Sequence, residues 1–413
     1  MTTFTRNLAI DIEMNLRKIC SFELMKRIRV ENIDSWLSSF LKSEGITTQI
    51  VYDDTLKSLW ERAYTTAPSS LSFPLSFYQD EWKEVIQSHN ITSLKDYFNV
   101  SRVGRGTGLK RIERAAIWRV FEEYRDLLQQ KGWKEKEDAL RDAYSILKSK
   151  PSNILPFRAI IVDEAQDMSE GVFTLLRAMV PADQGGNDLF IVGDPHQRIY
   201  GQKVVLSHCG IAIRGRSHKL NINYRTTEQI RRWATSILDG IDFDDLDGES
   251  DNLKGYCSLL RGEDPLIQGF SSFEEEVKFL QQQINAIAEN TPLASICLVL
   301  RTNQLVERYR HALGEYNIST QTILTNESDN QSLPGLRVAT MHRVKGLQFE
   351  HVFLPALNRG TVPLKNVLDN SSDLTARQDK LALERSLIHV AATRAKRSVT
   401  ITYYGVKSDF LKF

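Results

Sequence analysis

Ala159-Ile160-Ile161-Val162-Asp163-Glu164-Ala165-Gln166-Asp167 decides the fold. An apolar run this short, bounded by polar residues, suits a buried strand. Two adjacent carboxylates follow at its carboxyl end, which is where open parallel sheets place their ligands. A second such strand, Asp188 to Val192, runs into Gly193-Asp194-Pro195-His196-Gln197-Arg198-Ile199-Tyr200-Gly201, and a helical segment, Glu170 to Met179, separates the two. Strand, helix and strand in this order make a βαβ unit, so a parallel sheet is expected. Neighbouring strands that both end in aspartate-bearing loops share a crevice. There one carboxylate can hold magnesium while the next orients a water toward a γ-phosphate. Gln197 is placed to sense that phosphate, and Tyr200 offers a stacking face. The plainer reading of the first loop is an acidic helix start favoured by the helix dipole. His196 by itself reads as a loop side chain.

The chain has 413 residues, enough for two or three domains. With 41% hydrophobic and 25% charged residues it has the composition of packed globular domains. Lys and Arg number 53 against 52 Asp and Glu, so there is no global basic field, and any nucleic-acid contact must use local patches. Cys20, Cys209, Cys257 and Cys297 lack the short spacing of a zinc site or a disulfide framework, which fits a reducing cytoplasm. No apolar run reaches the roughly 18 residues of a membrane span, and no secretory leader is legible at the N-terminus. A soluble cytoplasmic protein is the expectation.

Outward from the deciding stretch, Met1 to Thr5 reads as a strand end, and Arg6 to Ile28 as a helix with apolar residues at helical spacing. Trp36 to Lys150 is almost wholly helical in pattern, with Trp60, Trp82, Trp118, Phe121 and Tyr124 as the core of a separate module. Within it, Arg102-Val103-Gly104-Arg105-Gly106-Thr107-Gly108 reads as an exposed basic loop, equally a phosphate contact or a solvated turn. Gly240 to Gly255 is acidic and glycine-bearing, the best linker in the chain. Beyond it, helices and strands alternate to the C-terminus as a second α/β layer structure, with a helix expected from Leu381 to Ala395.

Three further clusters carry chemistry. Asn223-Tyr224-Arg225-Thr226-Thr227 presents an arginine just before a helix, a position from which a cation reaches a phosphate. Thr340-Met341-His342-Arg343-Val344-Lys345-Gly346-Leu347 follows a strand with hydroxyl, imidazole and cations that suit contacts to a nucleic-acid backbone. Leu387 to Arg397 is an apolar helix end with a cationic cluster; dipole compensation accounts for Lys396 and Arg397 better than for Arg394.

Taken in order, these segments resemble the motifs of the UvrD/Rep-like superfamily 1 DNA helicases over nearly the whole chain. The resemblance implies an α/β fold of two RecA-like parallel-sheet motor domains with an inserted helical subdomain. Residues 1–40 and 151–239 would form the first motor domain, 41–150 the insertion, and 240–413 the second motor domain with little or no further insertion. It implies an ATP-dependent motor with 3′ to 5′ polarity on single-stranded DNA or at a single-strand/duplex junction, with ATP and Mg²⁺ as cofactors. By the same resemblance Asp163 binds Mg²⁺, Glu164 activates water, Gln197 senses the γ-phosphate, and Arg225 and Arg394 are arginine fingers. Thr5, Arg6, Asn7, Ser35, Trp36, Tyr200, Thr340, His342 and Lys345 would contact DNA. Gln348 stands where the family usually has Glu in a KGLEF string, which weakens a ribose or catalytic-site contact there.

One family element is missing. No G-x-x-x-x-G-K-S/T occurs in the 413 residues, so the phosphate-cradling loop and its lysine are not among them. In the family this loop precedes the Thr3-Phe4-Thr5-Arg6-Asn7 segment, so the expectation is an N-terminally truncated first domain, less stable, with an unpaired strand edge and exposed apolar surface. Poor ATP hydrolysis by the chain alone follows. Two alternatives stand beside this: a non-hydrolytic DNA-binding remnant, or a chain that needs an upstream segment or partner to supply the loop.

Overall fold

The structure, a computed structural model, describes residues 1–102, 105, 107–151, 154–180, 187–200, 203–246, 248, 250–251, 255–324, 329–330, 332–369 and 374–411. It is an α/β protein whose two larger sheets, of three and six described strands, are parallel, with a helical module. The first sheet has strands β1 (Thr2–Thr3), β4 (Ile160–Asp163) and β5 (Leu189–Ile191) in the order β1-β4-β5, all parallel. Between β1 and β4 the chain forms α1 (Arg6–Ile19), α2 (Ile33–Ser43), β2 (Gln49–Val51), α3 (Asp53–Tyr64), α4 (Leu75–Glu81), α5 (Arg111–Lys131), β3 (Trp133–Glu135) and α6 (Lys136–Ser149). Helix α7 (Glu170–Met179) joins β4 to β5.

Local chemistry sets these elements. The Thr5 hydroxyl accepts from Leu8 N and starts α1, and Asn32 accepts from Asp34 N and Ser35 N and starts α2. Helix α1 does not run to Ile28: the backbone is extended at Cys20, and Ser21 caps a separate short helix, Phe22–Met25. Gly132, at φ 64°, ends α5 in the left-handed region that favours glycine.

One face of the first sheet packs on α2, α6 and α7 through Ile160, Val162, Trp36, Leu37, Leu140, Phe173 and Leu176. On its other face Ile161, Phe190 and Val192 are 38%, 64% and 42% exposed, although sheets of this kind normally have both faces covered. Among the described residues β5 has no partner on its outer edge.

The helical module has its own core, in which Trp60 stacks on Tyr124 at 3.9 Å. The chain enters it at β2 and leaves at β3, and these two short strands pair in parallel. Helix α6, which the sequence grouped with the insertion, packs in the core of the first lobe because Ala139, Leu140, Ala143 and Leu147 face α2 and α7. Of the glycine loop, Val103, Gly104 and Gly106 lie outside the described residues. Arg102 and Arg105 turn inward onto Glu81, which is fully buried, so neither is an exposed phosphate contact.

Downstream come β6 (Ile222–Thr227), α8 (Glu228–Ser236), β7 (Cys257–Leu260), β8 (Leu266–Phe270), α9 (Phe273–Ala288), β9 (Ile296–Leu300), α10 (Asn303–Glu315), β10 (Thr320–Thr322), β11 (Leu336–Thr340), β12 (Phe349–Leu354), α11 (Leu374–Ala392) and β13 (Ala395–Tyr404). Six of these strands form an all-parallel sheet, β8-β13-β12-β9-β11-β10. Strand β9 is buried throughout: Ile296, Leu298 and Leu300 face α9 and α10, and Cys297 and Val299 face α8 and α11. Helix α11 stops at Ala392, so Lys396 and Arg397 are not a basic helix end. They lie on β13, where they pair with Glu350 of β12 at 3.1 and 2.8 Å. At the start of the acidic stretch after Gly240 the chain is held, because Asp244 accepts from Arg198 through two bonds of 2.7 and 2.9 Å. No described helix is long and apolar enough to cross a membrane.

Candidate nucleotide and DNA site

The carboxyl ends of β4 and β5 meet the second lobe. Glu164 sits at φ 55°, a left-handed turn that costs a non-glycine residue energy and re-aims its side chain off the strand. Its N–H donates to Asp163 Oδ1 at 3.0 Å, which fixes the two carboxylates relative to each other. Gln166 ties the two strand-end loops together: its Nε2 donates to Glu164 Oε2 at 2.6 Å and its Oε1 accepts from Asp194 N at 3.0 Å. Glycine at 193 suits this close approach, since a Cβ there would lie 3.0 Å from Gln166 Oε1 and 3.1 Å from Ala165 Cβ, and both would have to give way. Asp194 then accepts from Gln197 Nε2 at 2.7 Å and orients that amide.

The second lobe supplies cations. Arg394, 1% exposed in the turn between α11 and β13, donates to Val390 O at 3.0 Å and to Gln197 Oε1 at 2.6 Å. Burial and the neighbouring Arg225 push its guanidinium down to about 10, so it is still charged at neutral pH. Arg225 is exposed on β6; with the Gln348 amide oxygen turned toward it, Nε and Nη2 donate at 3.2 and 3.3 Å. Burial, and then the charge on Glu164, raise the Asp163 carboxyl above its ordinary range, while Arg225 and Lys345 oppose the rise. The sequence-predicted Glu164, Gln197 and Arg394 therefore converge, with Asp163, Arg225 and Gln348 around them.

Magnesium usually keeps one or two carboxylates and takes its other ligands from water and phosphate. A pair of adjacent carboxylates facing two arginines and a glutamine fits Mg²⁺ carried by a nucleotide. No group of three or more His, Cys, Asp or Glu among the described residues could hold a metal by itself.

Beside this cluster Tyr200, 40% exposed, stacks on Phe4 with centroids 5.1 Å apart and planes 23° apart, and its ring lies 5.7 Å from that of His342. The Tyr200 hydroxyl donates to His342 O at 3.1 Å. Burial and Arg301 hold the His342 imidazole down at about 4, so at neutral pH it is a hydrogen-bonding group rather than a cation. Arg6 is exposed at the start of α1, and Thr340 ends β11 half-buried. Ser35 is half-buried in the first turn of α2.

Three of the expected DNA contacts are placed elsewhere. Trp36 is a core residue, 6% exposed and stacked on Phe40 at 4.9 Å. Asn7 is buried at 4% exposure. Lys345 is turned away from any open groove: its ammonium lies 3.2 Å from Glu164 Oε2, donates to Gln197 O at 2.7 Å and pairs with Asp167. The sequence reading also missed Gln166 and Asp167 as organisers. Asp167 Oδ1 accepts from Ile199 N and Tyr200 N at 3.0 and 3.1 Å. The acidic string was visible, but what its last residues hold depends on tertiary contacts.

Residues 1–204 match the UvrD/REP helicase N-terminal domain, and residues 218–325 and 316–405 match the UvrD-like helicase C-terminal domain. A protein named "Probable DNA helicase" from Mycoplasma pneumoniae is 24% identical over 260 residues, covering 60% of this chain and 44% of its own length. A "Probable DNA helicase II homolog" of the same organism is 23% identical over 338 residues, 75% of this chain and 45% of its own. "ATP-dependent DNA helicase UvrD1" of Mycobacterium bovis is 25% identical over 211 residues, 46% of this chain and 26% of its own. The chain thus spans less than half the length of each of these relatives.

Proposed function

Because the chain belongs to the UvrD-like DNA helicase family, we propose that it carries the two motor lobes of an ATP- and Mg²⁺-dependent translocase on single-stranded DNA, moving 3′ to 5′. In this reading the motor lobes flank the insertion, but the expected boundaries at 41, 150 and 239 move: α6 packs with the first lobe, the insertion lies between β2 and β3, and α8 belongs with the second lobe. Asp163 holds Mg²⁺, which neutralises phosphate charge when bound, and Glu164 orients the attacking water. Gln197 contacts the γ-phosphate, Arg225 and Arg394 stabilise its developing charge, and Gln348 sets the reach of Arg225. Thr5, Arg6, Ser35, Tyr200, Thr340 and His342 line the DNA path, where Tyr200 gives a stacking contact that tolerates any base. The protein would work in the cytoplasm.

The observation that carries the reading is the bond from Arg394 of one lobe to Gln197 of the other, beside Glu164. Arginine from a second lobe at a phosphate site makes hydrolysis depend on how the lobes sit, as a translocating motor requires.

Since the 413 residues contain no G-x-x-x-x-G-K-S/T, we propose that they hydrolyse ATP poorly by themselves. The uncovered face of Ile161, Phe190 and Val192 favours a second reading, in which a further segment or polypeptide covers this sheet and supplies the phosphate loop. The test is ATP hydrolysis by the 413-residue protein with and without oligo(dT), alongside oligo(dT) binding across a salt series. The expected result is salt-sensitive DNA binding with little stimulated turnover. Robust DNA-stimulated turnover would overturn the proposed deficiency, and absence of DNA binding would overturn the DNA reading.

A further inference from the structure

The acidic stretch that follows α8 passes from one lobe to the other. Helix α8 packs in the second lobe's core through Ile230, Trp233 and Ala234, and Arg385 of α11 donates to Asp239 O at 2.8 Å, so the stretch begins as part of the second lobe. Five residues beyond Asp239 it is fixed to the first lobe. Phe243 lies against His196 with ring centroids 4.6 Å apart, and Asp244 accepts from Arg198 Nη1 and Nη2 at 2.7 and 2.9 Å. Leu246, at φ 66°, takes a left-handed turn that costs a leucine energy, and its side chain is buried in the first lobe's core. The Asp244 and Arg198 side chains are only 13% and 10% exposed, and a two-bond fork of this kind fixes orientation as well as distance. Burial raises the Asp244 carboxyl, but Arg198 more than offsets this and holds it below its ordinary range, so the fork is charged on both sides. His196 and Arg198 are the chain neighbours of Gln197. The stretch therefore grips the turn on both sides of the residue whose amide oxygen meets Arg394.

We infer that Asp244 is a positioning residue: through its fork to Arg198 it sets where Gln197 stands against Arg394, and it ties that turn to the covalent connection between the lobes. For the role of Gln197 at a phosphate the inference rests on the site reading proposed above. Arg198 is well placed to transmit the hold, since its Nε also donates to Gln166 O at 3.3 Å, within the loop that carries the carboxylates. Five residues reach at most about 18 Å, so a second lobe that moves beyond that reach pulls on the fork and on the turn with it. Gln197 then follows the second lobe through its neighbour in the chain as well as through the bond to Arg394.

The test compares the coupling between Gln197 and Arg394 with and without the fork, each time as a double-mutant cycle of Gln197→Ala and Arg394→Met read from urea unfolding of the 413-residue protein. With the fork intact the coupling is expected to be about fivefold or more in the unfolding equilibrium. Asp244→Asn keeps an oxygen for Leu246 N, which donates to Asp244 Oδ1 at 3.1 Å, but sets an amide NH₂ against Arg198. In that background the coupling should fall below about twofold. Arg198→Lys keeps the charge and loses the fork, and should give the same fall. A clasp with a purely structural role lowers the stability of every member of a cycle alike and leaves the coupling where it was. A coupling unchanged from wild type in either background would overturn the inference. If the cycle shows no coupling even with the fork intact, the shared site itself fails, and the inference fails with it.

Discussion

Glu81→Ala is expected to cost about 3–5 kcal/mol, the cost of leaving a buried charge without its partner, and to unfold the helical module first. The Glu81 side chain is fully buried at the end of α4. It accepts from Arg102 Nε at 2.6 Å and Nη2 at 2.7 Å, and from the Tyr97 hydroxyl at 2.8 Å, while Arg105 lies 3.6 Å away. Without the carboxylate two guanidiniums stay turned into the module with no anion. Urea unfolding followed by tryptophan fluorescence reads this directly, because Trp60, Trp82 and Trp118 lie in that core. A loss under about 1 kcal/mol would mean that the arginines find water instead, and would reopen a surface role for their loop.

Arg394→Met is expected to move stability and ligand binding in opposite directions. The guanidinium is 1% exposed, and it donates to neutral oxygens, those of Val390, Thr393 and Gln197. Burial of a charge on such terms is costly, and an apolar side chain of similar length removes the cost, so folding stability should hold or rise by up to about 2 kcal/mol. Affinity for a fluorescent ATP analogue should fall about tenfold or more, the value of a hydrogen bond between charged groups. Stability bought at the expense of function is the pattern of a residue kept for chemistry. A destabilisation above about 2 kcal/mol with unchanged affinity would make Arg394 a structural residue.

Much of this was legible in the sequence. Strand β4 with its two carboxylates, the β5 loop with Gln197, and Arg225 and Arg394 were found from apolar runs and the polar groups at their ends. Those are local signals, and a parallel sheet brings strand ends together whatever the spacing between them. What the sequence could not yield depends on which way a side chain points. Trp36 was expected at the DNA through the family resemblance alone, and the stripe it shares with Leu37, Phe40 and Leu41 on α2 places it in the core. Lys345 and Arg102 both lie in basic strings that suit phosphate, yet each turns inward to a buried carboxylate far off in the chain. Gln348 in place of Glu was noticed as a departure; its contact with Arg225 was not readable from the string.

The account stands on two lobes sharing one site, and the contact between Gln197 and Arg394 is where they meet. A double-mutant cycle of Gln197→Ala and Arg394→Met, read as the free energy of urea unfolding, measures that contact without relying on any turnover. A coupling of about 1 kcal/mol or more is predicted for a charged hydrogen bond across the seam. Effects that add to within about 0.5 kcal/mol would contradict it, leaving the carboxylates and the arginine in separate lobes with no site between them.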